Sequence, residues 1–167
     1  LEIALNKKIL KIALTNKPKY VCIVPENRKE ITTEGGLNLL KNKTKIKNII
    51  LKFRKKKIRT SLFIDPKIKD ILLAKTLNTD CIELHTGKIS NLIKQKRNYN
   101  LELKRIKDCC KLAKKIGLEV HAGHGLDYKT TTILSKINEI EEFNIGHFII
   151  GESITFGLKK TIKNFKK

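Results

Sequence analysis

The 167-residue sequence contains no methionine, and no apolar run in it approaches the roughly 18 residues needed to cross a bilayer. Its opening, Leu1-Glu-Ile-Ala4, reads as the inside of a strand, which leads to the expectation that something precedes it. It also lacks the charged-then-apolar pattern of a secretory signal. These absences speak against a membrane span and against secretion, so the cytoplasm is the expected location. The four cysteines, Cys22, Cys81 and the adjacent Cys109 and Cys110, show neither a C-x-x-C pair nor a zinc spacing. The first two fall in apolar, strand-like runs, and all four read as small buried hydrophobes. There is no internal repeat and no low-complexity linker, and the length suits a single domain with a real core.

Arginine is scarce too. The formal net charge of +21 would favour phosphate backbones through counterion release, yet only five of the 37 basic residues are arginines: Arg28, Arg54, Arg59, Arg97 and Arg105. Bidentate recognition of bases and phosphates leans on arginine, and the lysines here are spread along the whole chain. The densest basic run, residues 54 to 59, falls where a helix should end and a strand begin, a place that favours positive charge on its own account. No nucleic-acid partner is expected. A basic surface instead raises the encounter rate of small anionic substrates.

What is present is alternation. Short apolar runs at residues 1–4, 20–24, 60–64, 81–84, 118–122 and 142–145 predict strands. Between them, Ile46, Ile49, Ile50 and Phe53, and then Leu103, Ile106, Cys110 and Ala113, recur at helical spacing, as do Ile154, Leu158, Ile162 and Phe165. Six βα units with strands apolar on both faces imply a covered parallel sheet. A doubly wound sheet should carry a glycine-rich turn after its first strand, and none is found. The remaining choice is a (β/α)8 TIM barrel whose first two βα units are missing from this chain. Two longer connections stand out. Residues 25 to 36, PENRKEITTEGG, are a lid candidate closed by two glycines, whereas residues 87 to 100 read as a mobile, polar surface loop.

In a parallel architecture the C-terminal strand ends carry the chemistry. Glu2 and Glu83 each lie between large apolar residues, so period two turns both carboxylates to the barrel interior, the alternatives being a structural buried hydrogen bond for Glu83 and a simply exposed chain end for Glu2. Burial raises a carboxyl pKa towards the range a general acid or base needs. In EVHAGHGLDY, residues 119 to 128, His121 and His124 are an odd number apart and should face opposite ways, which argues against a shared metal. His124 sits at a glycine-flanked turn where an imidazole can reach a substrate, or else caps the next helix. For His121 a structural role is favoured. Gly146 and His147 precede an apolar segment that would start a helix, whose free N–H groups suit a phosphate. His85 is either catalytic or a tie between strand end and loop, and Asp65 reads as an ordinary helix cap.

The succession LEIA, CIVPENRKEITTEGGL, SLFIDP, IELHTG, AGHGLDY and FNIGHFIIGESI resembles the pyridoxine 5'-phosphate synthase family over nearly the full chain. The resemblance implies a (β/α)8 barrel of which the visible strands are the third to the eighth. It implies condensation of 3-amino-2-oxopropyl phosphate with 1-deoxy-D-xylulose 5-phosphate to pyridoxine 5'-phosphate, inorganic phosphate and water, with no metal and no organic cofactor. By the same resemblance Glu2 matches the general base, His124 the proton donor and Glu83 the carboxylate that stabilises the transition state. Thr32 matches a contact to the deoxyxylulose phosphate, and Gly125, Gly146 and His147 match contacts to the aminoketone phosphate. Small phosphorylated substrates and a homo-octamer are the partners implied. The chain lacks the Asn-x-Asp-His motif and the histidine-arginine cluster of the family's first two strands, and it has His121 where the family usually has asparagine. Other readings of the same residues are a different phosphate-binding barrel, an aldolase or isomerase acting on one sugar phosphate, and a non-catalytic basic module or relic.

Overall fold

A computed structural model of the chain describes residues 1–25 and 35–166. Its elements run β1 (Glu2–Ala4), α1 (Lys7–Asn16), β2 (Tyr20–Val24), α2 (Lys43–Lys55), β3 (Arg59–Ile64), α3 (Ile68–Thr76), β4 (Cys81–His85), α4 (Gly87–Lys94), α5 (Asn100–Lys115), β5 (Glu119–Gly123), α6 (Tyr128–Leu134), β6 (Ile140–Asn144), α7 (His147–Phe156) and α8 (Leu158–Phe165). The six strands form one sheet in the order of the sequence, and every neighbouring pair is parallel. A doubly wound sheet reverses its order partway along; this one does not. The architecture is a TIM-barrel-like wall of alternating strands and helices, as the sequence led one to expect.

Alternation along the strands sorts the side chains into two layers. Ile3, Val21, Ile23, Leu62, Ile64, Ile82, Leu84 and Val120 point to the helices and are buried with Ile46, Ile50 and Phe53 of α2, Ile71 and Ala74 of α3, and Ile106, Cys110 and Ala113 of α5. Each large side chain so buried contributes about 1.5–3 kcal/mol, and this outer layer holds the strands in position. The inner layer is mostly polar: Glu2, Cys22, Ser61, Glu83, His121 and Asn144 all line one cavity. A largely apolar outer face and a mostly polar inner face explain why strands that read as continuous apolar runs contain isolated glutamates and histidines.

Three local expectations need correction. The first part of the segment 87–100 is not a mobile loop but helix α4, because Ile89, Ser90 and Ile93 share one buried face and the Ser90 hydroxyl donates to the Thr86 carbonyl at 2.9 Å. Asp65 does not cap α3; the N-cap is Lys67, and the Asp65 carboxylate is used elsewhere. The basic run 54–59 does lie between the end of α2 and the start of β3, where Arg59 donates to Glu119 and Tyr20 across the inner face. Cys22 departs from the expected buried hydrophobe, since it lies in the inner layer as a hydrogen-bond donor. Among the described residues no helix is long and apolar enough to cross a membrane.

Candidate active site

Glu83, in the middle of β4, is the best-defined acid of the inner layer. Only 4% of it is exposed. Its Oε2 accepts from Asn144 Nδ2 of β6 at 2.9 Å and from the Cys22 thiol of β2 at 3.5 Å. Burial is the main cause that raises its pKa to about 6, and the nearby Glu2 charge adds to it. Two hydrogen bonds and the more distant His121 pull the other way. Burial and the adjacent Glu83 charge push the Cys22 thiol far up, so it stays a protonated donor. Gly123, on the neighbouring strand, has to lack a side chain: a Cβ there would collide with the Glu83 carboxylate. The glycine of AGHGL therefore makes the room in which Glu83 lies.

Glu2 pairs with Cys22 across β1 and β2, so it shares the inner face with Glu83, and both line a cavity of about 110 Å³. The inward orientation read from period two is what the structure shows, although Glu2 is exposed rather than buried. His121 pairs with Glu83 across β4 and β5 and lines the same cavity. Its Nε2 is 2.7 Å from Glu119 Oε1 and its Nδ1 is 3.5 Å from Glu142 Oε1. Glu119 in turn accepts from Arg59, and burial, which would raise its pKa, is outweighed by Arg59 and His121. Ligand atoms of Cys81, Glu119 and His121 lie within 4.8 Å of one another. The Arg59 guanidinium already donates to both Cys81 and Glu119, however, and fills the place a cation would take.

His124 lies just past the end of β5 with φ of 74°, in the left-handed region that β-carbon-bearing residues seldom occupy. Such a conformation costs on the order of 1 kcal/mol or more and persists only when neighbours impose it. Here the IELHTG segment imposes it. The Thr86 hydroxyl lies 2.8 Å from the carbonyl oxygens of both Gly123 and His124, and the Thr86 N–H donates to Gly123 O at 2.9 Å. Gly87 lets the rings of His85 and His124 come together, for a Cβ at that position would lie 2.9 Å from His85 Nε2 and 3.0 Å from His124 Cδ2. The two ring centroids are 4.9 Å apart. Gly125, also at positive φ, packs against Gly87 and Ser90. IELHTG and AGHGL, far apart in sequence, thus build one turn together.

Gly146 is the N-cap of α7, which begins at His147, as the sequence predicted for the segment after the last strand. Both residues are exposed. They follow Asn144, which pairs with Gly123 at the end of β5 and reaches Glu83, so this helix start stands at the same end of the sheet as the histidine turn. Thr32 and most of the lid candidate, residues 26–34, lie outside the described residues. Asn144 and Cys22 were not picked out from sequence. Asn144 carried a signal, since it stands at a strand end two residues before the Gly-His pair.

A parallel, singly wound αβ sheet with a buried carboxylate and a second carboxylate on its polar inner face, and a strained histidine past the end of β5, is the arrangement of a TIM-barrel-like protein. The family model described as pyridoxal phosphate biosynthesis protein PdxJ matches residues 1–167, and the chain belongs to that family. The pyridoxine 5'-phosphate synthase of Pelagibacter ubique (strain HTCC1062) is 70% identical over 167 residues, covering 100% of this chain and 70% of that protein. That of Zymomonas mobilis subsp. mobilis is 46% identical over 166 residues, covering 99% of this chain and 64% of the relative. The chain therefore spans about two thirds of the length of such relatives. Among solved structures, the YdjI aldolase of Escherichia coli K12 superposes with a TM-score of 0.58 at 12% identity, covering 96% of this chain and 60% of that one, a likeness of fold alone.

Proposed function

We propose that this chain carries the central part of a pyridoxine 5'-phosphate synthase site, joining 3-amino-2-oxopropyl phosphate to 1-deoxy-D-xylulose 5-phosphate with release of phosphate and water. The observation that carries the reading is the position of Glu83: a carboxyl with pKa near 6, hydrogen-bonded from two other strands and sharing its cavity with Glu2. Imine formation, enolisation and two eliminations each move a proton, and a site that supports them needs several acid–base groups around one cavity. Glu2, the more exposed of the two carboxylates, acts as base at a substrate carbon. Glu83 offers its charge to the cationic imine that develops beside it, and His124 delivers a proton to the departing oxygen. The N–H groups at the start of α7, with Gly146 and His147, hold the aminoketone phosphate, Gly125 lies on the same side, and Thr32 contacts the sugar phosphate.

The six strands correspond, in this reading, to the third to eighth of a barrel, a single domain over residues 1–167 that two further βα units would close. The assembly is a homo-octamer in the cytoplasm. Family membership and the exposed apolar residues of α7, Ile150 and Ile154, support burial of that helix against further protein.

The test is incubation of the intact protein with both substrates while pyridoxine 5'-phosphate is followed by its absorbance. Product that appears only when both are present supports the reading. Turnover of either sugar or ketone phosphate alone would favour the aldolase or isomerase alternative instead.

A further inference from the structure

One carboxylate at the active end has no part in the scheme above. Asp65 follows β3, and its Oδ1 accepts from the Gly36 N–H at 2.9 Å while standing 3.6 Å from His85 Nδ1. Its Oδ2 accepts from Lys67 Nζ at 2.9 Å. The Gly36 bond is not incidental, because the next residue, Leu37, donates its N–H to Phe63 O at 2.8 Å, so the chain is stitched along the end of β3 at the point where Asp65 leaves it. His85 is 7% exposed, and its ring is boxed by Phe63 at 5.3 Å and His124 at 4.9 Å between centroids. Asp65, His85 and His124 are therefore successive neighbours, from a partly exposed carboxylate to a buried ring to the histidine of the strained turn.

We infer that Asp65 and His85 are positioning residues for His124. At 3.6 Å the Asp65 carboxylate stands just outside hydrogen-bond distance of Nδ1, and its negative charge there favours the imidazole form that carries its proton on that nitrogen. That ring is then a rigid wall against which the His124 imidazole rests, at a turn whose backbone alone would not hold it. The depth to which Asp65 stays ionised agrees: its carboxyl is held well below the usual carboxylate range, first by His85 and then by Gly36 and Lys67, against the upward push of burial. The inference rests on the role proposed for His124, but its structural half does not.

The experiment has two arms on the intact protein. In the first, ¹⁵N-resolved NMR of the histidine rings at pH 8 reads where the His85 proton sits. The inference expects it on Nδ1, with the resonance moved by Asp65→Asn; a wild-type ring protonated on Nε2 alone overturns it, whatever the activity. In the second, Asp65→Asn, which keeps an acceptor for Gly36, and His85→Phe, which keeps a ring but loses Nδ1, are compared in turnover. Both should lower kcat by about tenfold or more, the low end of what a misplaced acid–base group costs, while KM moves less than about threefold. An unchanged kcat, or a loss confined to KM, counts against the inference. If the wild-type protein does not turn over the substrate pair, the proposed function fails and the NMR arm still decides the positioning of His85.

Discussion

Asn144 Nδ2 donates to Glu83 Oε2 over 2.9 Å, tying the last strand of the sheet to the acid in its middle. The contact spans β5, and it is possible only because Gly123, the β5 residue between them, has no side chain. The bond stabilises the ionised form of Glu83 against the burial that opposes it. Removing the donor should therefore raise the Glu83 pKa above about 6. In Asn144→Ala the acidic limb of the pH–rate profile should move to higher pH. A limb that stays in place or moves down would show that Asn144 does not set this group.

Glu83 also links activity to stability. Below the ordinary carboxyl pKa of 4.5 the group is neutral in both folded and unfolded chains, and its burial carries no charge penalty. Between 4.5 and about 6 the unfolded chain ionises first, so the folded state loses stability as pH rises, and above 6 the full cost is present. That cost is on the order of 1–2 kcal/mol. Glu83→Gln should be more stable than wild type by about that much at pH 8 and equal to it near pH 4, as read by denaturant melts, with turnover reduced by about 10² or more.

Gly123→Ala places a methyl group where the Glu83 carboxylate lies. Overpacking of this kind costs about 1–3 kcal/mol, and Glu83 has to rotate away from Asn144. We expect a lowered melting temperature together with at least a tenfold loss of turnover. Full activity would mean that Glu83 has room the structure does not show.

Arg59 belongs to a different task. It bridges Glu119 and Tyr20 on the inner face, next to the pair formed by Glu119 and His121. Because its side chain is 40% exposed, solvent screens much of this pairing. Arg59→Met should cost about 1 kcal/mol and leave kcat within about twofold, measured by melting and by steady-state turnover. A large kcat effect would draw the Arg59–Glu119 pair into the chemistry.

Much of this was legible in the sequence, for definite reasons. Strand positions could be read because the outer layer is a row of Ile, Leu and Val, and the inward turn of Glu2 and Glu83 follows from period two alone. The α7 start at the Gly-His pair was equally plain. What could not be read depends on contacts between segments distant in sequence. Thr86 clamps carbonyls 37 and 38 residues away, and Asp65 looks like a cap until the chain at Gly36 comes to meet it. Residues 87–94 look polar and loop-like because Lys88, Asn91 and Lys94 alternate with a narrow buried stripe. The geometry around Thr32 falls outside the described residues.

The account stands on the proposal that Glu2 and Glu83, which line one cavity, and His124, at the turn past β5, act on one reaction as a unit. The most direct measurement is turnover of the substrate pair by Glu2→Gln, His124→Asn and the double variant, each checked for native folding by circular dichroism. Residues that serve one reaction lose most of their effect once the first is removed. The account predicts a severe loss in each single variant and a double variant little worse than the poorer of the two. Undiminished turnover in either single variant, or losses that simply multiply in the double, would contradict it.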